Sequence, residues 1–363
     1  MNRSWLRGSL GDRLAIRWLT GQLPAPDAID LFSELRRART ILLLPNDRVG
    51  GLFIGAPACK AVRQAYPEAR ILLVVDETRA SVARQIPFVD EVLTAPLNRP
   101  VWSATFHAFC RKVSQQRPDL ALCLGTDCSF RLIRVAQTCG ARLRIGFRRE
   151  GVSAFDVEIA SAGVRRYEGD FYFDMLGFLG LEAGAEVRWA PAPEVARQLQ
   201  ARYLEEGTGS GRAVGIDLSR SEGRGLSNRQ LDDIVGRVVE RGVRAVLFFT
   251  LADRRQVNYL RETYGKRTIL FAQEDLASVA ALLQGCRALI ACNTDLLHLA
   301  MALRVPVVGL FDEDPERWVA PGQPAVGLVR VPDLRALSVG QVVAALDSVI
   351  KGERADAGVR TRS

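Results

Sequence analysis

Four polar residues, Asn293, Thr294, Asp295 and His298, interrupt an otherwise apolar stretch, ALIACNTDLLHLAMALRVPVVGLF, from Ala288 to Phe311. Side-chain oxygens of Asn, Thr and Asp can accept hydrogen bonds from the first N–H groups of a helix. A helix that starts just after a strand also offers unpaired N–H groups, and the positive end of its dipole, to an anion. Residues 292–298 are therefore the first place to look for a phosphorylated ligand. His298 has two readings, a helix residue hydrogen-bonded to a backbone carbonyl or a group that touches the ligand.

The flanking pattern supplies the elements that position these residues. Ala288–Cys292 is a short apolar run suited to a buried strand, Leu296–Leu303 a helix packed between layers, and Val307–Phe311 the next strand after Pro306. The same alternation runs through the chain. Ile41–Leu44, Ile71–Val75, Glu91–Thr94, Leu120–Leu124 and Arg144–Phe147 read as strands. Helices are expected at 51–66, near 78–85, and at 101–116, 131–139 and 167–181. Residues 148–164 read as a surface loop and 182–193 as a linker. A second series follows, with strands at 214–218, 245–250 and 269–271, helices at 228–241, 254–264 and 276–284, and a last helix at 337–350.

This pattern predicts an α/β fold of two doubly wound, mainly parallel domains, at 40–185 and 194–350. Residues 1–39 are expected to form a basic helical extension and 351–363 a disordered tail. Ligands of such sheets sit at the carboxyl ends of the strands. A cleft is thus expected between 45–52 of the first domain and 219–225 with 292–298 of the second.

Composition narrows the function classes. The chain has 363 residues, 48% hydrophobic and 25% charged, as an ordinary globular protein does. Its net charge of +8 comes from scattered arginines, only four of the 49 basic residues being lysine. Spread charge lacks the patch that nucleic acid needs, so no nucleic-acid partner is expected. An anionic membrane surface or an anionic sugar fits better. The segment Asp12–Thr20 reads as a short basic amphipathic helix that either packs on its own domain or lies on such a surface. No run of 18 apolar residues occurs, and the four Arg of Met1–Thr20 precede no apolar signal core. A cytoplasmic location is expected, with peripheral placement at the inner face of the cytoplasmic membrane as an alternative. Seven cysteines and two histidines form no zinc spacing and no CxxC pair, so buried free thiols and no metal are expected.

Three segments together resemble glycosyltransferase family 9, the ADP-heptose:lipopolysaccharide heptosyltransferases and their relatives. The first is ILLLPNDRVGGLFIGAPACKAV from Ile41, followed by YPEARILLVV and FVDEV. The second is VGIDLSRSEGRGLSNRQL, and the third CNTDLLHLAMALRVPVVGLF with DPERW after it. The resemblance implies a GT-B architecture, two Rossmann-like domains facing a central cleft. It also implies inverting, metal-independent sugar transfer from a nucleotide sugar, without a cofactor, to a glycan acceptor. On the donor side it assigns Ser221 and Arg224 in the second segment, with Asn293, Thr294, Asp295 and His298 in the third.

The departures fall on chemistry-bearing positions. Where the family has the Asp proposed as general base, this chain has Gly51. Asp47 in the same loop is the nearest substitute, beside Arg48 and Gly50, although a turn-forming role explains Asp47 equally well. The family's Gly at the helix start is Asp295 here. Its carboxylate could cap the helix and compete with a diphosphate unless Arg220, Arg224 or Arg317 compensates. Asp312-Glu313-Asp314 spells the D-x-D that binds metal in other glycosyltransferases, a weak pattern in a family that works without metal. Two functions follow, an active glycosyltransferase or a catalytically silent relative acting as a glycan- or protein-binding scaffold.

Overall fold

The computed structural model describes residues 30–46, 50–126, 128–148, 154–160, 167–181, 190–205, 213–219, 225–321, 323, 325–352 and 355–358. The segment 12–20 and the site residues Asp47, Arg48, Ser221 and Arg224, with Arg220, lie outside them. The chain divides into two units, Met1–Val187 and Arg188–Ser363.

The described part of the first unit opens with a short helix, α1 (Leu31–Arg37), whose cap Asp30 accepts from the backbone N–H of Ser33. Its sheet is built from β1 (Thr40–Leu44), β2 (Arg70–Asp76), β3 (Glu91–Ala95), β4 (Leu120–Cys123), β5 (Leu143–Phe147) and β6 (Val157–Ile159). The order is β3-β2-β1-β4-β5-β6, and every pairing is parallel. Ile41 to Leu44 are all fully buried. A parallel strand is covered on both faces, so its sequence is a continuous apolar run rather than an alternation. The helices are α2 (Gly51–Ala65), α3 (Ala80–Ala83), α4 (Ala104–Gln115), α5 (Phe130–Thr138) and α6 (Glu168–Phe178). Ser103 and Ser129 cap α4 and α5 by accepting from Phe106 and Leu132 N–H. The stretch 148–164, read as a loop, contains β6, which pairs with β5 at the sheet edge. All three β6 residues are only half buried, which is why no apolar run announced it.

The second unit repeats the plan. Its strands are β7 (Ala213–Asp217), β8 (Arg244–Phe249), β9 (Thr268–Ala272), β10 (Ala288–Cys292), β11 (Val307–Phe311), β12 (Val326–Arg330) and β13 (Ala355–Gly358). They lie in the order β13-β12-β11-β10-β7-β8-β9, again all parallel. The helices are α7 (Pro193–Gln200), α8 (Asn228–Glu240), α9 (Arg254–Tyr264), α10 (Leu276–Leu283), α11 (Asp295–Ala302) and α12 (Val339–Ile350). Helix α8 starts with a capping box between Ser227 and Gln230. The buried Gln230 amide also donates to the carbonyls of Leu334 and Leu337 at 2.9 and 3.1 Å, tying α8 to the turn before α12. One core cluster joins Ile216 of β7, Ile234 and Val238 of α8, Ile290 of β10 and Leu346 of α12. The tail expected to be disordered is not so throughout. Ala355–Gly358 pairs in register with Gly327–Arg330 of β12, main-chain bonding that needs no apolar side chains.

In each unit the first strand lies between the second and the fourth. Connections leave the sheet in opposite directions on its two sides, which opens a crevice at the carboxyl ends of the pair. These crevices lie beyond β1 and β4 in the first unit, and beyond β7 and β10 in the second.

Candidate functional site

At the second unit's crevice the loops after β7 and β10 are joined directly. Asp217 ends β7 and is 3% exposed. Its Oδ2 accepts from the Thr294 hydroxyl at 2.6 Å. Its Oδ1 accepts from the N–H and hydroxyl of Ser219 at 3.0 and 2.6 Å and from the Gln273 amide at 2.9 Å. Burial pushes this carboxyl above its ordinary value, and the hydrogen bonds from Ser219, Thr294 and Gln273 partly oppose the rise. Sequence reasoning did not single out Asp217. An acid closing an apolar strand at its carboxyl end was the available signal.

Thr294, not Asp295, is the N-cap of α11, its hydroxyl accepting from Leu297 N–H at 3.4 Å. Asp295 is the first helical residue and half buried. The expectation that Asp295 caps the helix is corrected accordingly. Thr294 already fills the cap, which leaves Asp295 a favourable acid in the first turn. Asn293 donates from its amide nitrogen to Glu313 Oε1 at 3.0 Å. Its oxygen is thereby left to accept from His298 Nε2 at 2.9 Å. His298, 2% exposed, is thus held by a side chain and not by the backbone carbonyl considered above. Its ring also meets Trp318 edge-on, with centroids 6.0 Å apart. Arg317 lies over the Trp318 ring at 4.7 Å. The structure therefore gathers Asn293, Thr294, Asp295 and His298 at one strand end, with Asp217, Glu313 and Trp318 around them.

Within the run Asp312-Glu313-Asp314, Glu313 and Asp314 are engaged separately. Glu313 holds Asn293, while Asp314 caps the turn at Pro315 by accepting from Glu316 N–H. Among the described residues no three His, Cys, Asp or Glu side chains gather in a way that could hold a metal. All seven cysteines are buried and free. Burial raises the Cys292 thiol, beside this site, to about 12, which keeps it protonated and unreactive.

At the first unit's crevice the loops after β1 and β4 meet on a buried acid. Glu168, in the first turn of α6 and 1% exposed, accepts on Oε1 from Asn46 Nδ2 at 3.3 Å and from the Thr126 hydroxyl at 3.0 Å. Burial first, and then the nearby Glu168 charge, pushes the Tyr172 phenol well above its ordinary value. A pocket of about 210 Å³, counted with its open mouth, lies against Asn46, Val75, Asp76, Arg79 and Leu97. An ion pair between Asp76 and Arg79 forms part of its lining.

Gly51 opens α2 in this unit with no space for a side chain. A Cβ there would stand 1.9 Å from the Asn46 carbonyl oxygen. A Cβ on Gly125 would meet the Asn46 Cβ at 2.6 Å. Gly50, the N-cap, sits at φ +73°, where only glycine is unstrained. Asn46 is therefore clamped between two glycines and held by Glu168. Glu168, Thr126 and Asn46 were not foreseen either. The one hint was a pair of acids, Glu168 and Asp170, in the first turn of the apolar segment YEGDFYFDMLGFLGL.

Comparison with known proteins agrees with this architecture. Residues 228–338 match the family model for glycosyltransferase family 9 (heptosyltransferase). No curated protein matches the chain. Among solved structures, the glycosyl transferase family 9 protein from Veillonella parvula is 17% identical with a TM-score of 0.72, covering 86% of this chain and 97% of that one. The E. coli ADP-heptose lps heptosyltransferase II is 16% identical with a TM-score of 0.67, over 86% and 98%. E. coli heptosyltransferase WaaC with ADP is 16% identical with a TM-score of 0.68, over 85% and 99%. Identities this low speak to the fold, which is GT-B-like, two α/β domains. The stretch from α8 to the turn before α12 is thus similar to glycosyltransferase family 9, and the two-domain fold of the chain is similar to that of the solved heptosyltransferases.

Proposed function

We propose that the protein transfers a heptose-like sugar from a nucleotide-diphosphate sugar to a lipopolysaccharide or other surface-glycan acceptor. The transfer inverts the anomeric centre and uses neither metal nor cofactor. The observation that carries this reading is the family match over 228–338, which spans the whole Asn293–His298 constellation. A nucleotide donor is supported by WaaC, a structural relative solved with ADP and with ADP-2-deoxy-2-fluoro heptose. In this reading the diphosphate approaches the first N–H groups of α11, where the helix dipole favours an anion. The donor also meets Ser221 and Arg224, and the acceptor meets the loop that bears Asp47, Arg48, Gly50 and Gly51. Work on a lipid-linked acceptor puts the protein at the inner face of the cytoplasmic membrane as a peripheral protein. Among the described residues no helix is long and apolar enough to cross a membrane.

The direct test is thermal unfolding with ADP, UDP, GDP and their sugars. A ligand of the folded state at a hundred times its dissociation constant adds about 2.7 kcal/mol of stability. One nucleotide series is expected to raise the melting temperature, and no rise with any of them would remove the reading.

The strength of that binding should depend on Asp295. Its carboxylate shares the first turn of α11 with the expected diphosphate. Like charges about 4 Å apart cost about 4 kcal/mol at an effective dielectric of 20. Asp295→Gly is therefore expected to tighten ADP binding, by at most about a thousandfold. Calorimetry on the two proteins checks it, and weaker binding by the glycine variant would make Asp295 a ligand contact.

One observation favours a second reading, a silent relative that binds a glycan or protein partner as a scaffold. The position that carries the proposed base in the family is Gly51, closed to any side chain. Nucleotide binding without turnover would support the scaffold.

A further inference from the structure

The basic residues of this chain are scattered in sequence, but the fold collects several of them on one layer. Helices α4 and α5 cover one face of the first sheet, where Phe106, Val113, Leu132 and Val135 join Leu42 and Leu72 in one core cluster. Residues 92–118 and helix α5 contain no Asp or Glu. They carry instead Arg99 ahead of α4, Arg111 and Lys112 on its exposed side, and Arg131 and Arg134 on α5. We infer that this layer is a docking surface for an anionic lipid bilayer, with Trp102 as its apolar anchor. The inference rests on the transferase reading, whose acceptor is lipid-linked, and deepens it by naming the face that meets the membrane.

Three observations carry it. The cations are near one another and lack acidic partners. Arg131 Nε donates to the Arg99 carbonyl at 2.9 Å, which ties α5 to the loop ahead of α4. Among the described residues none of the five forms an ion pair, whereas Arg142 and Arg144 beyond them do. Cations of this kind are drawn to anionic headgroups, each adding to the binding. Trp102, in the turn that leads into α4, is 72% exposed. A bilayer interface accommodates both the apolar body of an indole and its N–H. Finally, Leu97 of the same loop lines the pocket at the first crevice. The anchor therefore stands at the carboxyl edge of the sheet, where a lipid-linked acceptor has to arrive. Arg111 and Lys112 lie about 13 Å further along α4, so the helix can rest lengthwise on the headgroups.

Other occupants fit less well. One indole offers no platform for a succession of stacked bases. A second copy of the same face would bring like charges together.

Co-sedimentation of the full-length chain with vesicles tests the inference, using phosphatidylcholine alone and phosphatidylcholine mixed with phosphatidylglycerol. Wild type is expected to bind the anionic vesicles, less so at high salt, and to leave the neutral ones in suspension. Arg111→Gln combined with Lys112→Gln is expected to weaken binding about thirtyfold, from about fivefold for each cation near an anionic surface. Trp102→Ala is expected to weaken it about tenfold, through lost burial of part of the indole. All three side chains are exposed, so both variants should keep the wild-type melting temperature. Indifference of wild type to the anionic vesicles would overturn the proposal, as would equal binding to both kinds. Unchanged binding in either variant would overturn it too, and would move any attachment to another segment such as 12–20. Tighter binding of duplex DNA than of anionic vesicles, weakened in the same variants, would make the partner a nucleic acid instead. A dimer that Trp102→Ala dissolves would make the face a self-interface instead. The vesicles contain neither donor nor acceptor, so the two readings fail separately. Vesicle binding through this face without nucleotide binding would keep the surface and remove the transferase reading. Nucleotide binding without vesicle binding would do the reverse.

Discussion

Gly51→Asp, which would supply the carboxylate that the family resemblance leads one to expect there, is expected to destabilise the first unit rather than to raise activity. The new Cβ would enter the Asn46 carbonyl oxygen, 1.9 Å away. Real Cβ atoms do not come that close to a backbone oxygen, and this one belongs to a residue clamped on its far side by Gly125. Relief requires α2 or the β1 end to move, and both are packed: Leu44 and Leu52 are essentially inaccessible. Overpacking of a tight interior costs about 1–3 kcal/mol and occasionally more. A backbone clash places this case at the upper end, about 3 kcal/mol. Urea unfolding of Gly51→Ala and Gly51→Asp checks it, because the two share the Cβ and differ in the carboxylate. Both should lose stability. A stable Gly51→Asp with increased turnover would show that this loop accommodates the family's base.

The second large effect concerns Asp217→Ala. The substitution removes the acceptor for two Ser219 donors, the Gln273 amide and the Thr294 hydroxyl. Hydrogen bonds to a charged group contribute about 1.5–3 kcal/mol each, and stranded buried donors add a desolvation cost. Gains from removing a desolvated carboxylate offset part of this, so a net loss of about 3 kcal/mol is expected. The sign of the pH dependence is fixed independently. The folded-state pKa of Asp217 is raised, so the native state holds a proton that the unfolded chain has released. Its contribution to stability is full below the ordinary Asp range and is lost as pH rises through the raised value. Wild type minus Asp217→Ala, measured by denaturant unfolding across that window, should fall with increasing pH. A difference that rises instead would mean that the hydrogen bonds outweigh burial and that the pKa is lowered.

Much of the fold was legible because parallel strands announce themselves. ILLL, ILLVV, LALCL and VVGLF are uninterrupted apolar runs, and a sheet covered on both faces has no reason to alternate. What escaped was at the margins. Residues of β6 are half buried throughout, and β13 pairs through its main chain, so neither needed an apolar run. At the site, the third segment was legible since its polar residues are contiguous and stand in an apolar frame. Asp217 and Glu168 were not. Each is one acid among 41 acidic residues, and its meaning comes from partners far along the chain. Asn46 and Glu168 are 122 residues apart, and Asp217 and Thr294 are 77 apart. Local pattern has no access to such pairs, and strand order supplies them. Asp295 misled for the opposite reason. Thr294 and Asp295 are both good caps, and sequence alone does not decide which one the helix begins after.

The central place of β1 has a consequence for how the chain acquires its fold. Laid down first, β1 gains its second neighbour only when β4 arrives. The Arg39 N–H then reaches the Asp119 carboxylate across 80 residues at 2.7 Å. Contacts of such separation must overcome loop-closure entropy before they return any stability, which slows folding. Until residue 123 has formed its part of the sheet, the strand of Leu42 and Leu44 has one open side, with a row of main-chain groups ready to pair with another chain. A fragment, or a stalled nascent chain, that ends ahead of β4 would therefore be the aggregation-prone form of this protein. A chain carried past β5 would already have closed the centre of its first unit.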